Sequence, residues 1–122
     1  MSRRPVEVVR ACLRAYATQD RAALEALLAD DYRFTSPMDD ALDRDAYWRI
    51  CWPHSQDFVA FDIVHEAENG DLAFVTYEAR TRSGHRFRNT ELNAVRDGML
   101  VATEVYFGWD LPHQVAKGEH AR

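Results

Sequence analysis

The sequence predicts an α+β fold: three N-terminal helices packed against a curved antiparallel sheet that runs as a meander. Two observations predict it. Before Trp52 the apolar residues recur at three- and four-residue steps, and from Phe58 onward the period becomes two. Hairpin dipeptides then punctuate the second half at Asn69-Gly70, Ser83-Gly84 and Asp97-Gly98. With 122 residues the chain has room for a single domain over 1–122, its core spanning about 5–111.

The first helix rests on Val6, Val9, Leu13 and Tyr16, which form one stripe behind Pro5 at the first helical position. Thr18-Gln19 breaks the stripe, and Asp20 caps a second helix with Leu24, Leu27 and Leu28 on its apolar face. Asp30-Asp31 reads as a polar stop. Tyr32 to Thr35 alternates as a short strand ended by Pro37. A loop, Met38 to Leu42, leads to Asp43, the cap of a third helix. That helix carries Tyr47, Trp48, Ile50, Cys51 and Trp52 and ends at Pro53. Strands follow over Phe58–Ala67, Leu72–Thr81, Phe87–Val95 and Leu100–Phe107, and from Pro112 a polar tail, 112–122, is expected to fray.

Composition narrows the function classes. Lys plus Arg is 15 against 20 for Asp plus Glu, a net charge of −5, which argues against a nucleic-acid partner. No apolar run is long enough for a membrane span, so no membrane is expected. The basic start lacks the apolar core of a secretory signal. Cys12 and Cys51 form no motif and are expected to stay reduced in a cytoplasmic protein. Histidines and acids match no ligand spacing, so neither a metal nor another cofactor is expected.

Counting outward from two-residue turns gives the sheet two faces. One holds Ala73, Val75, Tyr77, Leu92, Ala94, Val101, Val105, Phe107 and Trp109, and reads as core or pocket wall. The other holds Phe74, Thr76, Glu78, Asn89, Glu91, Asn93, Glu104 and Tyr106. This register sets Glu91 against Glu104, an unfavourable like-charge pair. A three-residue Arg96-Asp97-Gly98 loop would slip it by one and turn Glu91 inward beside Thr103. Glu91 is thus a pocket acid or an outer-face acid, depending on one turn.

The run Asp20-Arg-Ala-Ala-Leu-Glu-Ala-Leu-Leu-Ala-Asp-Asp-Tyr-Arg-Phe-Thr-Ser-Pro37, with Arg96-Asp-Gly-Met-Leu and Glu104-Val-Tyr-Phe-Gly108, resembles the nuclear transport factor 2-like (cystatin-like) superfamily. Within it the chain is similar to the SnoaL-like, polyketide cyclase-type branch and the related ketosteroid isomerases. The resemblance spans about Pro5 to Pro112 and rests on the order of its motifs rather than on any one of them. It implies a cone-shaped fold, an apolar pocket at one end and a homodimer. It implies no single activity, because the fold hosts isomerases, cyclases, dehydratases, hydrolases and members without chemistry. The isomerase tyrosine on the first helix corresponds to Cys12 here, and the base aspartate before a proline corresponds to Ser36. The third residue, an acid on the penultimate long strand, corresponds to Glu91 or a neighbour in one register. A serine without a partner base cannot take a proton, and a thiol is a poor substitute for a phenol donor. The resemblance therefore disfavours the ketosteroid isomerase mechanism.

Candidate site residues follow. Asp39 and Asp40 lie just past the first strand and offer a displaced base, or simply a solvated turn. His54, after Trp52-Pro53, is a candidate acid or base, and Glu91 or Tyr77 a candidate acid or oxyanion donor. Tyr16, Trp48, Trp52, Tyr77, Phe107 and Trp109 are the candidate ligand-binding aromatics, each of which also suits a core. His65 is placed on a strand and His85 in a turn. Arg80, Arg82, Arg86 and Arg88 flank the Ser83-Gly84 turn, either as an anion site or as a solvated tip. The expected function is binding of a small hydrophobic molecule, with cofactor-free proton transfer on a ketone-like substrate. The alternative is a non-catalytic dimeric interaction or carrier domain, which needs only a sealed core and an apolar outer patch such as Phe74 and Tyr106.

Overall fold

A computed structural model describes residues 3–115. The elements are α1 (Pro5–Ala17), α2 (Arg21–Leu27), β1 (Leu28–Ser36), β2 (Asp39–Leu42), α3 (Arg44–Ile50), a 3₁₀ helix (Trp52–Asp57), β3 (Phe58–Asn69), β4 (Leu72–Thr81), β5 (Arg86–Arg96) and β6 (Met99–Leu111). The α+β class and the meander of β3 to β6 stand. One curved sheet has the order β2-β1-β6-β5-β4-β3, with β1 parallel to β6 and every other neighbour antiparallel. No helix among the described residues is long and apolar enough to cross a membrane. The expected frayed tail falls mostly on residues 116–122, outside the described residues, while Pro112 to Val115 belong to no helix or strand.

The helix starts follow from side-chain capping. Asp20 accepts from the Ala23 amide at 3.1 Å and Asp43 from the Ala46 amide at 2.9 Å, each satisfying a donor of a first turn. Three boundaries differ from expectation. Leu28 leaves α2 and begins β1, where it pairs with Leu100 of β6, a parallel partner that local sequence does not show; regular pairing resumes only at Arg33, past an irregularity. Met38 to Leu42 is not all loop: Asp39–Leu42 is a short edge strand on β1. Trp52 and Pro53 do not close α3 but open a 3₁₀ helix, where proline suits the first turn.

α1 lies across the concave face and divides the core. Val8, Cys12 and Ala15 meet Leu24, Leu28, Tyr32, Tyr47, Trp48, Val95 and Leu100 on one side. Val6 and Val9 meet Ala73, Val75, Tyr77 and Ala79 on the other. The Arg10 guanidinium pairs with Glu66, and the Val6 amide donates to Glu68 at 2.9 Å, which fixes α1 against β3.

Two irregularities overturn the expected faces of β5. At Ser83-Gly84 the loop has three residues, Arg82 to Gly84, with the Thr81 amide donating to the His85 carbonyl and Gly84 at φ 94°. β5 therefore shifts by one against β4, and Val75 rather than Thr76 faces Glu91. The Asp97-Gly98 turn keeps two residues, both at positive φ, but the register slips between Ala94 and Val95, leaving Val101 as a bulge. Glu91 then opposes Val105, and Leu92 opposes Glu104, so the like-charge pair never forms. Asn89, Glu91 and Asn93 face inward, whereas Leu92, Ala94 and Val101 do not belong to the inner wall, the reverse of the register from two-residue turns; for Glu91 this is the pocket alternative, reached through the Ser83-Gly84 loop and not through a three-residue Arg96-Asp97-Gly98 loop. A second shift, at Gly108, is enforced by close approach, since a Cβ there would lie 2.4 Å from the Arg88 carbonyl oxygen.

Candidate functional site

The concave face of the sheet, α1 and the 3₁₀ helix border a cavity of about 670 Å³ that meets solvent at the exposed side chains of His54, Asp57, His85 and Asp110. Its walls are apolar and largely aromatic. β3 supplies Phe58 and Phe61, β4 supplies Tyr77, β5 supplies Phe87, and β6 supplies Phe107 and Trp109. Such a surface desolvates a flat hydrophobic ligand at little cost to the protein.

Polar groups enter this wall at two levels. Deep in the cavity, Glu91 accepts from the Tyr77 hydroxyl at 3.0 Å and from the Asn93 amide at 3.4 Å. Asn93 in turn accepts from the Thr103 hydroxyl at 2.9 Å, so a buried chain orients the carboxyl. Glu91 is half-buried by accessible area only because it borders the cavity; protein surrounds it otherwise. Burial pushes its carboxyl up, and the bonds from Tyr77 and Asn93 offset this in part. The same burial holds the Tyr16, Tyr32 and Tyr77 phenols protonated. Tyr16 spends its hydroxyl on the Cys51 carbonyl at 2.8 Å.

Nearer the opening, the Ser36 hydroxyl donates to Asp39 at 2.8 Å, and both residues line the cavity. β1 brings Ser36 there, and the tight connection to β2 folds Asp39 back onto it. His85 Nε2 lies 2.9 Å from Asp110 Oδ1, and His54 lies 3.9 Å from Asp57; all four residues line the rim. Cys12 and Cys51 also border the cavity, each thiol pushed up to about 12, chiefly by burial. Neither is a thiolate at neutral pH, which fits small wall residues rather than nucleophiles. Among the described residues, no three His, Cys, Asp or Glu side chains gather as a metal site would require.

Of the expected site residues, the structure brings Asp39, His54, Glu91, Tyr16, Tyr77, Phe107 and Trp109 to this one cavity. It does not bring Asp40, Trp48 or Trp52. Asp40 is exposed on the edge strand. Trp48 is core, stacked 4.5 Å beneath the Arg21 guanidinium and edge-on to Trp52. Trp52 packs edge-on to Tyr16, behind the wall. The one-turn spacing of the two tryptophans does put them side by side, but Trp48 meets Arg21 of α2 and Trp52 meets Tyr16 of α1. Sequence reasoning missed the Ser36 bond to Asp39, the Asn93 and Thr103 support, and the His85–Asp110 pair. The polar alternation Asn89, Glu91, Asn93 is the signal that could have found this support, and the length of the Ser83-Gly84 loop decides which face it takes.

The SnoaL-like domain model matches residues 9–103. No curated protein matches the sequence significantly. Among solved structures, the chain is similar to an NTF2-like protein of unknown function from Cytophaga hutchinsonii, with TM-score 0.73 and 16% identity, covering 88% of this chain and 93% of that one. It is also similar to IdmH from Streptomyces antibioticus, described as a candidate polyketide cyclase, with TM-score 0.69 and 24% identity over 84% and 91% of the two chains. A candidate polyketide cyclase from Sinorhizobium meliloti gives TM-score 0.70 and 20% identity over 81% and 93%. At these identities the likenesses carry the fold.

Proposed function

The chain belongs to the SnoaL-like domain family, and on that premise we propose that it binds a small hydrophobic ketone and moves a proton on it without a cofactor. The observation that carries this reading is Glu91, a carboxyl set inside an apolar cavity, raised by burial and aimed by Tyr77. A carboxyl so placed keeps its proton to higher pH than a solvated one, and in its protonated form it can donate to a developing oxyanion. Asp39, kept on the wall by Ser36, is the proton acceptor in this scheme and takes over from the family's aspartate position, occupied here by Ser36. The C–H bond α to the carbonyl breaks, its proton passes to Asp39, and the electron pair moves through the new C=C onto the oxygen. Glu91 hydrogen-bonds that oxygen and supplies its proton, giving an enol. Return of the proton from Asp39 to the same carbon, with the enol proton returning to Glu91, gives exchange; where a second C=C is conjugated with the enol, protonation at its far (γ) carbon gives isomerisation. The candidate polyketide cyclases among similar structures support the ketone class. We extend the reading to a homodimer through the outer sheet face, where Phe74 and Tyr106 are exposed.

The test is exchange of the α-protons of 2-tetralone in D₂O, followed by NMR. The protein should accelerate it, and Asp39→Asn and Glu91→Gln should each remove about 10²- to 10⁴-fold of the acceleration. Asp40→Asn, outside the cavity, should retain it. A folded protein without acceleration, or full rates in both cavity variants, refutes the reading.

A further inference from the structure

Along one wall of the cavity five rings stand in an unbroken series. Ring centres lie 5.2 Å apart from His85 to Phe87, 6.1 Å from Phe87 to Phe58, 5.1 Å from Phe58 to Phe61 and 5.1 Å from Phe61 to Tyr77. The series ends at the Tyr77 hydroxyl, bound to Glu91. It begins at the rim, where Asp110 holds His85. His85 stands just before β5 and Glu91 within it, six residues apart, a backbone span of about 20 Å. Both residues line the same cavity of about 670 Å³, and the ring series between them suits a flat molecule lying lengthwise.

The two ends are polar and the wall between them is not. A hydrogen-bonding group at the outer end of a ligand would meet an imidazole fixed by a carboxylate, with its second ring nitrogen free among the described residues. His85 is 51% exposed, so an apolar end would displace only the water on the cavity side of the imidazole, and would offer no bond in its place. We propose that His85, held by Asp110, is a specificity-determining residue: it reads a hydroxyl at the outer end of an elongated aromatic ketone whose carbonyl lies at Tyr77 and Glu91. This rests on the proton-transfer reading for the inner end. Asp110 acts through His85 and is a positioning residue.

Two probes separate the ends: 6-(4-hydroxyphenyl)-2-tetralone and 6-phenyl-2-tetralone, which share the ketone and differ in the distal hydroxyl. Dissociation constants come from quenching of the intrinsic tryptophan fluorescence. The wild-type protein should bind the hydroxylated ketone about 3- to 10-fold more tightly. His85→Phe keeps a ring against Phe87 but loses both nitrogens, and the ratio of constants should fall to about one. Asp110→Ala should lower the ratio as well, with the fold checked by circular dichroism. Equal affinities in the wild type, failure of the hydroxylated ketone to bind, or a preference that survives both substitutions overturns the proposal. The constants need no turnover. Absence of α-proton exchange would therefore refute the proton-transfer reading and leave this comparison decisive for the outer end.

Discussion

Replacing Tyr77 by Phe removes one oxygen and leaves the ring in its contact with Phe61, so it isolates the bond to Glu91. Tyr77 is 4% exposed, but Glu91 borders the cavity, so any replacement for the lost donor must come from cavity water. A hydrogen bond to a charged acceptor contributes about 1.5–3 kcal/mol and one between neutral groups about 0.5–1.5 kcal/mol. Which value applies depends on the protonation of Glu91. Burial raises its folded pKa above the ordinary 4.5, so the folded protein binds this proton more tightly than the unfolded chain does. The stability this group contributes is full below 4.5 and declines as pH rises through the folded value. Near pH 4.5 the acceptor is a neutral acid; well above the folded value it is a carboxylate, whose remaining donor is Asn93. For a chain of this length 1 kcal/mol moves Tm by about 4 °C. Tyr77→Phe should therefore lower Tm by roughly 6–12 °C above the folded value of Glu91 but only by about 2–6 °C near pH 4.5. Thermal melts by circular dichroism across a pH series give both numbers. A loss that does not grow as pH rises through the series would show that Tyr77 does not donate to an ionising Glu91.

Other outcomes follow from the same geometry. Glu91→Gln abolishes the buried ionisation and should raise Tm at the alkaline end of a pH series of melts, with the gain shrinking toward pH 4.5; a gain independent of pH contradicts the assignment. Trp48→Ala should cost about 3–5 kcal/mol in urea unfolding, because the ring is core, while the folded variant keeps its affinity for 2-tetralone. Loss of that affinity would return Trp48 to the cavity wall. Gly108→Ala drives a methyl into the Arg88 carbonyl and should destabilise by about 1–3 kcal/mol in the same assay; a neutral result means that the β5–β6 bulge relaxes.

The amino-acid sequence by itself determined the α+β class, the four long strands and the capped helix starts, because capping, periodicity and turn chemistry act between residues a few positions apart. It also determined that an acid, a tyrosine and several aromatics would be available near the resembling family's pocket positions. Tertiary structure alone decided which of them meet. β1 runs parallel to β6 although more than sixty residues of chain separate them, and nothing local to Leu28 announces that pairing. Glu91 faces Tyr77 because of one extra loop residue before β5, and faces Val105 because of one bulged residue in β6. A side-chain period of two converts each single-residue slip into a change of face, so local ambiguity at a turn becomes a reversal at the site. Trp48 shows the complementary limit. Helical spacing placed it beside Trp52, but whether that stripe faced the cavity or α2 depended on how α3 docks. Docking is set by packing over the whole core, and in this protein it gave Trp48 to the core and left the cavity to Glu91, Tyr77 and the phenylalanines of the sheet.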